Sequence, residues 1–596
     1  MFCPSCGKKI AQKSTFCPYC GQPIASSQGT KPGFAAAPVP GNRRMKKGLP
    51  LIVGLVGNSV GICLCLALFL LVDPFRLHLW GRLMGTYDAA ATAMPPETSL
   101  YLGVNLLNLN QERIREIQQA FQDAARGTYL GDDMNDMEDD FDEIQDDWGI
   151  NVEEDVLPWI GQYAGFGVID PSMDYYLEIE TADWLLAIET RDKEAADAFL
   201  LKLTDGISDN NGFRFDEITY QDVLIYEYDT EELALARSDD LVLIGNGTRV
   251  IENAIDTRQK ESLVDAPYYQ QIVGSLPRNR AVTFVLNPLF WQETSDFLAE
   301  ELDTGSDSLF SNEFAGLGFS WSLIDEGIQM DIVTAFDRAQ IDETTSQLLE
   351  AMADRQLLTE HLPEDTVAYW QGNRLDLLWQ AGTERIMDSV GRADFQESMA
   401  IFEEELGFDP EQDLFVELNG NWTIAIVPSH DSFYAQYADI NLGGVWLAQG
   451  NNLETLARTA EDIADAMSEE GFFINDIRRD DLLVYEATED EGFGFGTSEE
   501  FAFVGTSGRD IEQLYIHDGS LLDNEAHQQT WRAFPKGMTP LFYLNAAALL
   551  DALESSDDIY QEDLPVWRPI TAFAGATDLI GQDTVHHTLI VFIETE

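Results

Sequence analysis

Four of the six cysteines in the 596-residue chain fall in its first 21 positions, "MFCPSCGKKIAQKSTFCPYCG". Cys3 and Cys6 are separated by two residues, Cys17 and Cys20 likewise, and ten residues intervene between the pairs. Four thiolates presented by two such turns are what a tetrahedral zinc ion requires. Gly7 and Gly21 each follow the second thiolate of a pair, where a positive φ curls backbone N–H groups toward the sulfurs. Lys8 and Lys9 offset the negative charge of such a site. A redox or disulfide role would need an oxidising compartment or a thioredoxin-like context, and neither surrounds these residues. The expected chemistry is structural: Zn2+ held by Cys3, Cys6, Cys17 and Cys20, supplying most of the folding energy of so short a segment.

Elsewhere, groups arranged for catalysis are scarce. The seven histidines form no His-Glu-x-x-His pattern or other short ligand cluster, and His586 and His587, adjacent on an expected strand, face opposite sides. The single Ser-x-x-Lys, Ser5 to Lys8, lies inside the first cysteine knuckle. No catalytic residues are assigned, and the chain reads as a non-enzyme. "GDDMNDMEDDFDEIQDDW" holds ten acids between positions 132 and 147 but lacks the Gly and closing Glu of a calcium loop. Its apolar residues Met134, Met137, Phe141, Ile144 and Trp148 recur at steps of 3 and 4, the inward stripe of an amphipathic helix. The acidic face then stands in solvent, with weak divalent-cation binding as its functional alternative.

Charge divides the chain. Residues 1–47 carry eight Lys or Arg and no acid, leaving 27 basic against 105 acidic side chains in the remainder, a net of −78. Between these parts, residues 48–72 contain no charge, enough to cross about 30 Å of hydrocarbon as a helix. The length exceeds that of a signal-peptide core, and no small-residue cleavage site follows. Arg43, Arg44, Lys46 and Lys47 precede the stretch, so the positive-inside rule puts the N-terminus in the cytoplasm and the acidic portion outside the cell membrane. Gly57 and Gly61 offer a small-residue contact for a homodimer through the span. Nucleic acid is not an expected partner of so acidic an outer region.

The outer region repeats itself. "PPETSLYLGVNLLNL" from Pro95 is answered by "LPEDTVAYWQGNRLDLL" from Leu362, with Tyr101 matching Tyr369 and Asn105 matching Asn373. "WGINVEEDVLPWIGQYAGFGV" from Trp148 is answered from Leu406, "DVLIYEYDTEELALARS" from Asp222 by "DLLVYEATEDEGFGFGTS" from Asp481, and "LPRNRAVTFVLN" from Leu276 by "FPKGMTPLFYLN" from Phe534. The glycine-rich "EGFGFGTS" thus aligns with the alternating strand "ELALARS" and reads as strand, not as a phosphate loop. Asn105, Asn287, Asn373 and Asn545 each end a strand before a helical run and read as N-caps. Within each repeat, period-2 runs joined by short turns alternate with 3.6-period runs. The expected fold class is α+β: a zinc ribbon (1–24), a flexible basic linker (25–47), one transmembrane helix (48–72), a juxtamembrane segment (73–84), then a tandem duplication (85–355 and 356–596). Each copy is expected to have an antiparallel sheet with helices on one face.

Two loops at equivalent hairpin tips, "DPSMDYY" and "PSHDSFYAQY", each combine Pro-Ser-x-Asp with aromatics. Their Tyr175, Tyr176, Phe433, Tyr434 and Tyr437 are the candidate interaction residues. The first 24 residues resemble the short zinc ribbons that head many bacterial membrane proteins. "AMPPETSLYLGVNLLNL" together with "GINVEEDVLPWIG" resembles a bacterial family catalogued as domain of unknown function 3352, over roughly residues 85–596. That resemblance implies a membrane-anchored, extracytoplasmic protein of unassigned activity and carries over no catalytic residues. The leading functional expectation is an envelope-anchored interaction or scaffold protein whose outer domain binds envelope proteins or other surface components. The alternative is a ligand- or lipid-binding module with its site between the two repeats; a hydrolase ranks third. Replacing Cys17 and Cys20 with Ser is expected to abolish zinc in the purified chain, read by metal analysis, while the thermal unfolding of the acidic portion is unchanged.

Overall fold

The first repeat supplies ten strands: β1 (Thr98–Asn105), β2 (Ile160–Ile169), β3 (Asp183–Thr190), β4 (Phe215–Tyr220), β5 (Val223–Tyr228), β6 (Ala234–Ser238), β7 (Leu241–Gly245), β8 (Val282–Leu286), β9 (Phe314–Ile324) and β10 (Gly327–Phe336). The second supplies β11 (Ala368–Asn373), β12 (Asn421–Pro428), β13 (Leu442–Gln449), β14 (Ile474–Arg479), β15 (Leu482–Ala487), β16 (Phe493–Thr497), β17 (Phe501–Gly505), β18 (Thr539–Asn545), β19 (Ile570–Ile580) and β20 (Thr584–Ile593). The computed structural model describes residues 85–125, 150–169, 182–211, 214–228, 233–291, 313–353, 357–488, 492–516, 519–554 and 564–595.

Tight turns set the local pairing. Gln221 and Asp222 join β4 to β5 with φ of 47° and 64°, the doubly positive geometry that matches the twist of a hairpin. Neighbouring strands in the first repeat run β4-β5-β6-β7-β3-β2-β1-β8-β9-β10, all antiparallel. The second follows the same plan, β14-β15-β16-β17-β13-β12-β11-β18-β19-β20. The glycine-rich segment is indeed strand, β16. A Cβ at Gly496 would meet the Leu483 carbonyl oxygen at 1.9 Å, so its glycine reflects the close approach of β15. Asn545 caps the helix Ala546–Glu554 by accepting from the Ala548 N–H at 3.0 Å. Asn373 does not cap: its amide donates to the Ala351 carbonyl, and Arg374, at φ 53°, opens the next helix instead.

The expected fold class needs three corrections. The two copies do not keep separate sheets, because β10 pairs with β20 and makes one sheet of 20 strands. Helices cover both faces, not one. On β7, Leu241 and Leu243 pack with Val250, Ile251 and Ala254 of the helix Thr248–Thr257, whereas Val242 between them packs with Leu200 and Leu203 of the helix Lys193–Asn211. Adjacent strand residues point to opposite faces, so a strand apolar at every position must be covered twice. Finally, no helix among the described residues is long and apolar enough to cross a membrane. Their helices are amphipathic, buried on one stripe, as in Leu453–Glu469 with Leu456, Ala460 and Ala464 inward. Residues 48–72, where the span was expected, lie outside the described residues, as do the four zinc-ribbon cysteines and the acidic stretch 132–147.

The seam between the repeats is the antiparallel ladder of β10 with β20. In its register Asp331 faces Thr588, and each is the fifth residue of its ten-residue strand. Equivalent strands therefore meet about a local twofold, as two identical edges would. Asp331 is fully buried there. Its carboxylate accepts from His586 Nε2 at 2.9 Å, Thr588 Oγ1 at 2.7 Å and Gln329 Nε2 at 2.9 Å. Arg113, on the first-repeat helix Gln111–Ala125, reaches across to Thr595 Oγ1 at 2.6 Å. Asp331→Ala would strand donors from both repeats and is expected to cost about 3 kcal/mol, read as a lower urea midpoint. Asp331→Asn should cost less, and an unchanged midpoint for the Ala variant would show that the carboxylate does not hold the seam.

Candidate functional site

On β11, Tyr369 is 3% exposed and its neighbour Trp370 is 55% exposed. Trp370 lies opposite Ile424 of β12 and Phe542 of β18; Ile424 lies opposite Trp446 of β13, and Trp446 opposite Val504 of β17. Directly opposed residues of antiparallel strands share a face, so these five side chains form one apolar row about 19 Å long. Two hollows share Ile424. One, of about 610 Å³, is walled by Phe433, Tyr434, Trp446, Phe493 and Val504. The other, of about 780 Å³, is walled by Trp370, Phe542, Leu549, Phe573 and Leu589.

This groove is made for apolar contact. Each strand beneath it is paired on both sides, β17 between β13 and β16 and the others likewise, so its backbone is committed to the ladder. Exposed apolar area of this kind marks a contact surface more often than a flaw in folding. The first repeat carries the matching row Ile244, Leu186, Phe166, Leu102 and Phe284. Phe166 and Leu102 of that row are also exposed, and Phe166 stacks on Trp184 with ring centroids 6.0 Å apart.

Phe433 and Tyr434 sit on the short helix Phe433–Ala438. Ser432, fully buried, caps it by accepting from the Ala435 N–H at 3.1 Å, which fixes both rings at the groove's edge. Tyr434 is 51% exposed and Phe433 packs edge-on to it at 5.8 Å. Tyr437 belongs to the same helix. Tyr175 and Tyr176 lie outside the described residues. Sequence reading missed Trp370, Ile424, Trp446, Val504 and Phe542. The available signal was a failure of alternation, since "AYWQ" and "WTIAIV" place large apolar side chains at both parities.

Opposite Trp370, the buried face of the same strands holds a polar cluster. His527, buried on the helix Glu525–Arg532, accepts at Nε2 from Trp531 Nε1–H at 2.8 Å and contacts the Tyr369 hydroxyl at 3.3 Å. Its ring meets Tyr543 of β18 edge-on at 5.1 Å. Burial pushes the imidazole down to about 4. The equivalent tyrosine of the first repeat, Tyr101, instead donates to Asp88 Oδ2 at 2.6 Å. There burial raises the carboxyl to about 6 against the lowering effect of that hydrogen bond and those from the Ala91 and Ala90 N–H groups.

The profile of a family described as a protein of unknown function, DUF3352, matches residues 53–571. The chain belongs to the DUF3352 family. A zinc-ribbon domain profile matches residues 2–24 of this DUF3352 protein. No curated protein matches the sequence. Three crystal forms of TP0453 are similar to it in structure at 8–9% identity: form III covers 45% of this chain and 88% of that one with a TM-score of 0.22, form IV 42% and 82% with 0.23, and form I 46% and 89% with 0.23.

Because Ile424 and Val504 are 43% and 42% exposed, replacing either with Glu is expected to change stability by no more than about 0.5 kcal/mol. The same variants should lose much of the Nile red fluorescence of the native protein. A loss of several kcal/mol by urea unfolding would show instead that these residues are core.

Proposed function

We propose that this DUF3352 protein is a binding module that docks a partner protein on the apolar groove of its second repeat. The observation that carries the reading is the exposed row of Trp370, Ile424 and Val504, flanked by the exposed ring of Tyr434. A chain of net charge −70 favours a partner whose apolar contact residues are flanked by Lys or Arg. The saturated ladder beneath the groove also bears on the form of that contact. An extended peptide laid there would bury backbone groups with nothing to bond, whereas the apolar side of a helix satisfies its own backbone. In the same reading the zinc ribbon is a small structural unit in which Cys3, Cys6, Cys17 and Cys20 hold one Zn2+, the donor set being suited to that ion.

A photo-crosslinking amino acid in place of Trp370, activated in intact cells and followed by mass spectrometry, tests the docking reading. Crosslinks to another protein, lost when Ile424→Glu is added, are expected. Crosslinks confined to this chain would overturn it.

A further inference from the structure

The strands that floor the groove are the strands that hold His527. Tyr369 and Trp370 are consecutive on β11, and Phe542 and Tyr543 are consecutive on β18, so each pair sends one side chain into the groove and one toward the imidazole. Because the Trp531 indole donates to Nε2, the neutral ring carries its proton on Nδ1. The groups facing it are the phenols of Tyr369 and Tyr543 and the indole of Trp531. On its own helix Glu525 and Arg532 mark the two ends, and Asn524 accepts from the His527 N–H at 2.9 Å. Burial lowers its titration, and among the described residues no charged neighbour contributes to the shift.

We infer that His527 is an acid-sensitive latch beneath the groove, whose protonation breaks its contacts with Trp531 and Tyr369 and loosens β11 and β18. A proton on Nε2 turns the acceptor into a donor facing another donor, and places a charge among aromatic rings where no carboxylate among the described residues receives it. The sign follows from the lowered titration, about 4 in the fold against an ordinary value of 6.5. Stability from the neutral ring is complete above 6.5 and is lost as pH falls toward 4. The first repeat responds oppositely. Asp88, among Tyr101, Tyr163, Tyr269 and Arg280, is raised to about 6, so that the stabilising neutral carboxyl is lost as pH rises through 6. Acid thus loosens the second repeat and leaves its twin intact. That this releases a partner rests on the docking reading; the loosening itself does not.

Hydrogen exchange of the full chain, corrected for intrinsic rates, reads the latch directly. Between pH 7.5 and pH 5, amides of residues 368–373 and 539–545 are expected to open roughly 30-fold more often, while those of 98–105 and 282–286 do not. His527→Gln, which keeps an acceptor but cannot take the proton, should abolish the difference. Trp531→Phe removes one donor to the neutral ring, brings its titration nearer the ordinary value, and should shrink the acid-dependent increase in opening. Equal responses in the two repeats, or a response that survives in His527→Gln, would overturn the latch. Crosslinks from position 370 present at pH 7.5 and absent at pH 5 would tie it to docking. Exchange that responds without crosslinks at either pH keeps the latch and removes the docking reading.

Discussion

The edge-to-edge pairing of β10 with β20 is the contact on which the architecture rests. Each repeat alone would end in a ten-residue strand with an unpaired row of N–H and C=O groups. Joined, both rows are satisfied by nine opposed pairs from Gly327↔Phe592 to Ala335↔Thr584. Asp331 at the centre of that register is bonded by one donor from its own strand and two from the other. Such a group adds directional specificity where hydrogen-bonded strands alone would tolerate a slip.

From that pairing follows a division of labour between the two faces. One is filled by Tyr101 and Tyr369 with the helices and short turns packed over them, including the fully buried segment Ala90–Ala93. The other is covered mainly toward the outer strands, where Leu235 lies under the helix Lys193–Asn211 and Phe495 under Leu453–Glu469. Trp370 and Ile424 fall between such covers and remain open to solvent. Because His527 packs on the reverse of the same strands, a change of charge on the closed face reaches the open one through a single thickness of sheet.

Much of the local structure is legible in the sequence. The match of "ELALARS" to "EGFGFGTS" identified β6 and β16 as strands, whereas "PSHDSFYAQY", expected as a hairpin tip, carries the short helix Phe433–Ala438. What escaped was long-range. Nothing in "GIQMDIVTAF" marks it as the strand that will meet its own counterpart, and its Asp331 looks like a solvent position although it is fully buried. The groove is invisible for a related reason: Trp370, Ile424, Trp446 and Val504 come from four strands, and only register places them side by side. The expectation of helices on one face failed because the apolar run "LVLI" of β7 satisfies two layers at once. Asn373 shows that a residue type suited to capping yields when a nearer carbonyl claims its amide.

The twofold character of the seam also limits growth. A contact between like edges consumes both of them, so ladder formation through this edge stops at two units and cannot run on into a fibre. What remains at the ends of the sheet is β4 and β14, six residues each. They carry Asp216 and Glu217 at one end and Asp476, Arg478 and Arg479 at the other, charges that discourage a further strand from adding. The duplication thereby builds a sheet of 20 strands whose most extended edge is hidden within the chain, leaving its ends poor templates for aggregation.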